Sequence, residues 1–132
     1  MIKLVGVEKT LSGQPVLQGI DITIPNGKLT TVIGKSGEGK SVLLKHMIGL
    51  LQPDRGQVWV GDVEISRLRG RALNDVRKRF AMLFQGAALF DSLSVFENVA
   101  FPLREKLRMK GSEVTRRVEE KLEQVGLEGM GH

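Results

Sequence analysis

Gly34-Lys35-Ser36-Gly37-Glu38-Gly39-Lys40-Ser41 is the stretch whose reading decides the fold. It fits the pattern G-x-x-x-x-G-K-[ST], and each fixed position has a physical reason. The glycines permit backbone conformations closed to other residues and let the chain approach a phosphate group closely. Successive N–H groups can then turn inward as a nest for an anion. A helix opening near Lys40 presents the positive end of its dipole to the same anion. The Lys40 ammonium reaches the β and γ phosphates of a nucleotide. The Ser41 hydroxyl suits magnesium, a hard ion that prefers oxygen ligands. With Val42 completing the turn into the helix, residues 34–42 are the candidate binding loop.

The neighbouring residues supply the context that this motif requires, a strand before it and a helix after it. Leu29-Thr30-Thr31-Val32-Ile33 is a β-rich run that stops at Gly34. Ser41 to Leu50 is apolar enough for a buried helix, and Pro53-Asp54-Arg55-Gly56 breaks it. Upstream, Ile2–Val7 and Val16–Ile24 read as strands. In the second, Ile20, Ile22 and Ile24 alternate with Asp21 and Thr23, the period of a half-buried antiparallel strand. Pro25-Asn26-Gly27-Lys28 is a turn by its chemistry. Downstream, Gln57–Val60 is a strand, and Gly61-Asp62 turns the chain toward Val63 and Ile65. Leu73–Arg79 is a short helix, and Phe80–Phe84 a buried strand ending at Gln85. Ser94 and Glu97 have capping-box spacing at a helix start. Ser112 is a second candidate cap, followed by an apolar stripe of Val114, Val118, Leu122 and Val125, with Gly126 as the stop.

Antiparallel strands followed by strand–loop–helix predict an α/β domain with a mixed sheet. Only 29–33 and 80–84 read as fully buried strands of a nucleotide-binding core. A parallel sheet needs both faces covered and usually more strands than that. The core is therefore expected to be incomplete.

Composition narrows the possibilities further. The hydrophobic fraction of 41% and charged fraction of 27% are those of ordinary globular domains. Aromatics are only 5%, so aliphatic side chains must build the core. No apolar run approaches the ~20 residues of a membrane-spanning helix. There is no cysteine, which excludes disulfides and thiolate metal sites. The net charge is +5, with the densest basic stretch at Arg67, Arg69, Arg71, Arg77, Lys78 and Arg79. No aromatic residue interleaves with it, so it lacks a stacking platform for single-stranded nucleic acid. A solvated face is the expectation there, and no nucleic-acid partner.

The surroundings of the loop resemble the ATP-binding subunits of ABC transporters, over essentially the whole chain. Pro25-Asn26-Gly27-Lys28 looks like that family's entry turn. Gly49-Leu50-Leu51-Gln52-Pro53-Asp54-Arg55-Gly56-Gln57-Val58 looks like the segment that follows its loop helix, and Phe84-Gln85 looks like its Q-loop. The run from Val76 to Glu105 is similar to the maintenance-of-lipid-asymmetry (toluene-tolerance) phospholipid transporter ATPases. The small apolar run Gly86–Phe90 and Phe101-Pro102-Leu103-Arg104-Glu105 tip that choice.

The resemblance implies an ATPase dependent on ATP and Mg2+ at the cytoplasmic face of the inner membrane. It would work as a homodimer of ATPase subunits beside a transmembrane permease subunit. Lys40 and Gln85 would be catalytic, Ser41 and Gln85 would hold magnesium, and residues 1–84 and 85–132 would be the β-rich core and the start of a helical subdomain. Many family members place an aromatic ring near position 11 to stack on adenine. Leu11 stands there, so Leu11 and Val16 are the candidate adenine contacts.

No Leu-Ser-Gly-Gly-Gln signature and no apolar strand ending in Asp-Glu occur, and His46 and His132 do not fit the family's switch histidine by position. The expectation is a piece of a longer domain, inactive in hydrolysis by itself and prone to self-association. His46 and His132 are expected to be solvated. Leu89, Phe90, Leu93, Val95, Phe96, Val99 and Phe101 are expected to share their exposure between a helical subdomain and a partner groove. An ABC ATPase for another substrate, such as an amino acid, and a non-hydrolysing nucleotide-binding module are the alternatives. A GTPase is disfavoured because no N-K-x-D segment is present.

Overall fold

The computed structural model describes residues 1–84, 86 and 88–131. The chain forms two compact units, Met1–Met82 and Leu83–His132.

The first unit is organised by a four-stranded antiparallel sheet in the order β2-β1-β3-β4. Its strands are β1 (Ile2–Leu11), β2 (Gln14–Ile24), β3 (Arg55–Val60) and β4 (Val63–Glu64). β1 and β2 form a hairpin in which Ile2 faces Ile24 and Leu11 faces Gln14. The alternation along β2 does what its period requires: Ile20, Ile22 and Ile24 pack toward the core, while Asp21 and Thr23 are exposed. Register slips in β1 between Leu4 and Val7. There Gly6 takes φ +56, and its N–H is received by the Asp21 carboxylate at 2.9 Å. Gly56 crosses the same point, where a Cβ would stand 2.3 Å from the Gly6 carbonyl oxygen. Only a residue without a side chain lets the two backbones pass this closely.

Helix α1 (Lys40–Met47) lays Leu43, His46 and Met47 against this sheet. These three follow helical spacing of three and four residues, which puts them on one face. Leu4, Val7, Leu17, Val58 and Ile65 complete the core with α2 (Gly70–Arg77), through Leu73 and Val76. Each large aliphatic side chain buried here contributes roughly 1.5–3 kcal/mol. The Arg77 guanidinium donates to the Gly49 carbonyl at 2.5 Å, tying α2 to the end of α1. Along the basic stretch, Arg67 pairs with Glu64, Lys78 with Asp75, and Arg69 donates to the carbonyls of Ser66 and Leu68.

The second unit contains α3 (Val95–Glu105) and α4 (Ser112–Gln124). Its core is Ala100, Val114, Val118 and Leu122, with Phe96, Val99, Leu103 and Met109 around them. Ser94 caps α3 as its spacing predicts, accepting from the Glu97 N–H at 3.2 Å. Only half of a capping box forms, because the Glu97 carboxylate pairs with Arg104 instead. Asn98 ties the preceding loop to α3. Its side chain accepts from the Phe90 N–H and donates to the carbonyls of Phe90, Leu93 and Ser94.

Five expectations are corrected. Residues 29–33 and 80–84 are not strands, and Leu29 is 97%, Ile33 90% and Leu83 89% exposed. Among the described residues no strand lies beside them. A β-strand without a hydrogen-bonded neighbour has no ladder to hold it. The sheet that forms is accordingly antiparallel throughout, not mixed. Ser112 does not cap α4; it is the first helical residue, after Gly111. Val125 is exposed, because α4 ends at Gln124 and Gly126 turns the chain away with φ +74. His46 is fully buried, and its Nδ1 lies 2.7 Å from the Val42 carbonyl one helical turn back. His132 lies outside the described residues.

Candidate functional site

The loop from Gly34 to Gly39 leads directly into α1, the position that the motif requires. Two of its glycines, Gly37 and Gly39, take φ +85, in the left-handed region that favours glycine. Gly39 is also sterically fixed, since a Cβ there would meet Val16 Cγ1 at 2.8 Å and the Val16 carbonyl oxygen at 3.3 Å. Val16 therefore abuts the end of the loop, so one of the two candidate adenine contacts lies beside it. Leu11 sits at the tip of the β1–β2 hairpin, partly exposed and paired with Gln14. Ser36 and Ser41 are exposed, and Val42 is half-buried on α1. Gln85 lies outside the described residues.

α1 begins at Gly39 with no side-chain cap and no acidic residue in its first turn, and it ends with Lys45 and His46. An uncapped helix start keeps its orphan N–H groups for another acceptor. The Lys40 ammonium folds back over the loop and donates to the carbonyls of Gly34 at 2.8 Å and Lys35 at 2.6 Å. The Lys35 N–H in turn donates to the Glu38 carboxylate at 2.7 Å. This donor set fits a nucleotide phosphate with its magnesium. The loop offers N–H groups and an ammonium for phosphate oxygens and the Ser41 hydroxyl for a hard cation.

A second polar cluster steadies the strand that leads into the hairpin. The Asp54 carboxylate accepts from Lys9 Nζ at 2.7 Å and from the Thr10 N–H at 2.7 Å. The Lys9 ammonium, then the Thr10 N–H, hold this carboxyl below its ordinary value of 3.8. The sequence marks Asp54 only as a turn residue, and its role needs β1 brought alongside. Sequence reasoning placed Glu38 in the binding loop but missed the contact of its side chain with the Lys35 N–H, and it missed the buried place of His46. The signal for His46 was available in its spacing from Leu43 and Met47.

The geometry defines a P-loop nucleotide-binding domain, and comparison with known proteins states its class. The ABC transporter family profile matches residues 17–132, and the chain belongs to that family. Its fold is similar to that of the ATP-binding cassette MJ0796. The structure of a dimeric post-hydrolysis state of that protein with ADP and Pi bound superposes with a TM-score of 0.84 at 30% identity, covering 100% of this chain and 61% of that one.

Among individual proteins, the chain is 38% identical over 129 residues to the "Intermembrane phospholipid transport system ATP-binding protein MlaF" of Escherichia coli (strain K12), covering 98% of this chain and 48% of that protein. It is 42% identical over 114 residues to the protein of the same name in Haemophilus influenzae, covering 86% and 43%. It is also 41% identical over 128 residues to the "Probable ribonucleotide transport ATP-binding protein mkl" of Mycobacterium tuberculosis (strain ATCC 25618 / H37Rv), covering 97% and 36%. The chain thus spans between a third and a half of the length of these relatives.

Proposed function

We propose that this chain is the nucleotide-binding part of an ATP-driven transporter subunit that, as a whole protein, hydrolyses ATP to move phospholipid or another hydrophobic substrate. The observation that carries the reading is the loop itself: glycines at φ +85 leading into an uncapped helix, with Lys40 folded over the carbonyls of Gly34 and Lys35. Residues 34–42 hold the phosphates of ATP, with Lys40 neutralising the charge that builds on the transferred group. Ser41 and Gln85 hold magnesium, Gln85 also acts in catalysis, and Val16 and Leu11 cover the adenine. Held there, magnesium would offset the negative charge of the phosphates. Residues 1–84 form the β subdomain and P-loop core, and residues 85–132 carry the Q-loop and begin the helical subdomain.

Among the described residues no helix is long and apolar enough to cross a membrane. The subunit acts peripherally at the cytoplasmic face of the inner membrane, paired with a second ATPase subunit and a transmembrane permease. The permease contact is assigned to an apolar groove of about 610 Å³ in the second unit, lined by Leu89, Phe90, Leu93, Val95, Val99 and Leu127. The relatives named for phospholipid transport support the lipid reading. The mycobacterial relative, named for ribonucleotide transport at similar identity, supports a second reading in which the cargo is polar.

Titration of the full chain with magnesium-ATP tests the site. Binding is expected in the wild type and lost in Lys40→Ala, and equal affinity would refute the assignment. Vesicle-to-vesicle transfer of labelled phospholipid by the reconstituted transporter tests the cargo, with ATP-dependent movement expected for lipid and none for a ribonucleotide.

A further inference from the structure

The loop already holds an anion of its own. The Glu38 carboxylate accepts the Lys35 N–H at 2.7 Å, a hydrogen bond strengthened by the acceptor's charge. Gly34 makes the space: a Cβ there would stand 2.7 Å from Glu38 Oε2. The missing side chain that lets a phosphate come close thus lets this carboxylate in. Lys40 is engaged as well, its ammonium donating to the carbonyls of Gly34 and Lys35. Lys35 is consequently held at both its backbone N–H and its carbonyl. Its N–H is held by Glu38, and its carbonyl by Lys40 and, at 3.4 Å, by the Glu38 N–H. These contacts use the kinds of group that a phosphate would need, a backbone N–H and an ammonium.

We propose that Glu38 is a built-in competitor of the nucleotide, its carboxylate closing the phosphate loop until a polyphosphate displaces it. This deepens the assignment of residues 34–42 as the ATP site and rests on it. The closed loop lowers apparent affinity by the fraction of molecules that are open. A triphosphate brings more charge and more acceptor oxygens to the loop than one carboxylate, and so displaces it from the Lys35 N–H.

Magnesium-ATP titrations of the full chain, comparing wild type with Glu38→Ala, Glu38→Asp and Lys40→Ala, test the proposal. Glu38→Ala is expected to bind about tenfold tighter, the size of one displaced hydrogen bond to a charged group near the surface. Glu38→Asp keeps the charge but is too short to span to the Lys35 N–H, so it should follow Glu38→Ala. An Asp variant that behaves like wild type would mean that simple repulsion acts, and would overturn the proposal. Unchanged or weaker binding by Glu38→Ala, with Lys40→Ala still abolishing it, would overturn it too. Unchanged binding by Lys40→Ala would overturn the site assignment itself.

A kinetic arm uses the wild type alone. In rapid mixing with a fluorescent ATP analogue, the observed rate should level off at high nucleotide, because loop opening becomes limiting. A strictly linear dependence would count against a closed loop.

Discussion

Two helices of this chain begin in opposite ways. α3 starts at Ser94, in extended conformation at φ −63 and ψ 168, with its hydroxyl receiving the Glu97 N–H and Glu97 acidic in the first turn. α1 starts at Gly39, in left-handed conformation at φ 85 and ψ 7, with no cap and no acid in its first turn. Two first-turn N–H groups of α3 are supplied by the fold, that of Glu97 by the Ser94 hydroxyl and that of Phe96 by the Gly131 carbonyl. Those of α1 are left for something else, and the nearest candidate, Glu38, turns back to Lys35 rather than capping the helix. A helix start closed by its own side chain is a structural feature. One left open beside a lysine and glycines at positive φ keeps its donors for an outside acceptor.

The strongest way to break this contrast is to remove the cation. Lys40→Ala should take nucleotide binding below detection in a calorimetric titration, since losing a charge-assisted contact worth about 1.5–3 kcal/mol weakens it roughly ten- to more than a hundredfold. Ser94→Ala should leave that binding unchanged. Next in size is an attempt to cap α1. Gly39→Ser should not create a cap, because the residue would be held at φ +85 with its Cβ against Val16. It should instead cost about 1–3 kcal/mol in chemical denaturation, the range for a strained backbone. A stabilised variant would show that the start of α1 is an ordinary helix end.

Third, Ser94→Ala should cost about 1 kcal/mol and Ser94→Gly only a few tenths, since glycine leaves the cap open to water. Equal losses from both would mean that the Ser94 hydroxyl is not what caps α3.

The smallest effect concerns a carboxylate in a fixed role. Asp54, like Glu38, accepts a backbone N–H at 2.7 Å, but it also binds the Lys9 ammonium. Its pKa is depressed in the folded chain, so its contribution is present above the ordinary value of 3.8 and is lost as pH falls through the lower folded value. The stability difference between wild type and Asp54→Asn should be constant above about pH 5 and shrink in stronger acid. A gap that stays the same below pH 3 would show that the ion pair is not its source.

Residues 1–132 alone provide a separate measurement. With Leu29, Ile33 and Leu83 open to water and two β-rich segments unpaired, this chain should self-associate in light scattering across a dilution series. A single monomeric mass at high concentration would refute that expectation.

The glycine-rich loop that opens α1, the β2 alternation, the Ser94 cap and the family were legible in the sequence because each rests on local chemistry. The loop follows from glycine freedom and one lysine, the strand from a period of two, and the cap from a serine three residues before a glutamate. Tertiary structure alone decided the rest. Residues 29–33 and 80–84 have strand-forming sequences, yet strands exist only where another backbone lies alongside, and no local residue supplies one. Asp54 is a turn residue until β1 brings Lys9 and Thr10 to it. Glu38 is one more loop residue until the backbone at Gly37 and Gly39 folds its carboxylate onto the Lys35 N–H. Local propensity and spacing act within a few residues, whereas pairing and through-space charge depend on which distant segments the fold brings together.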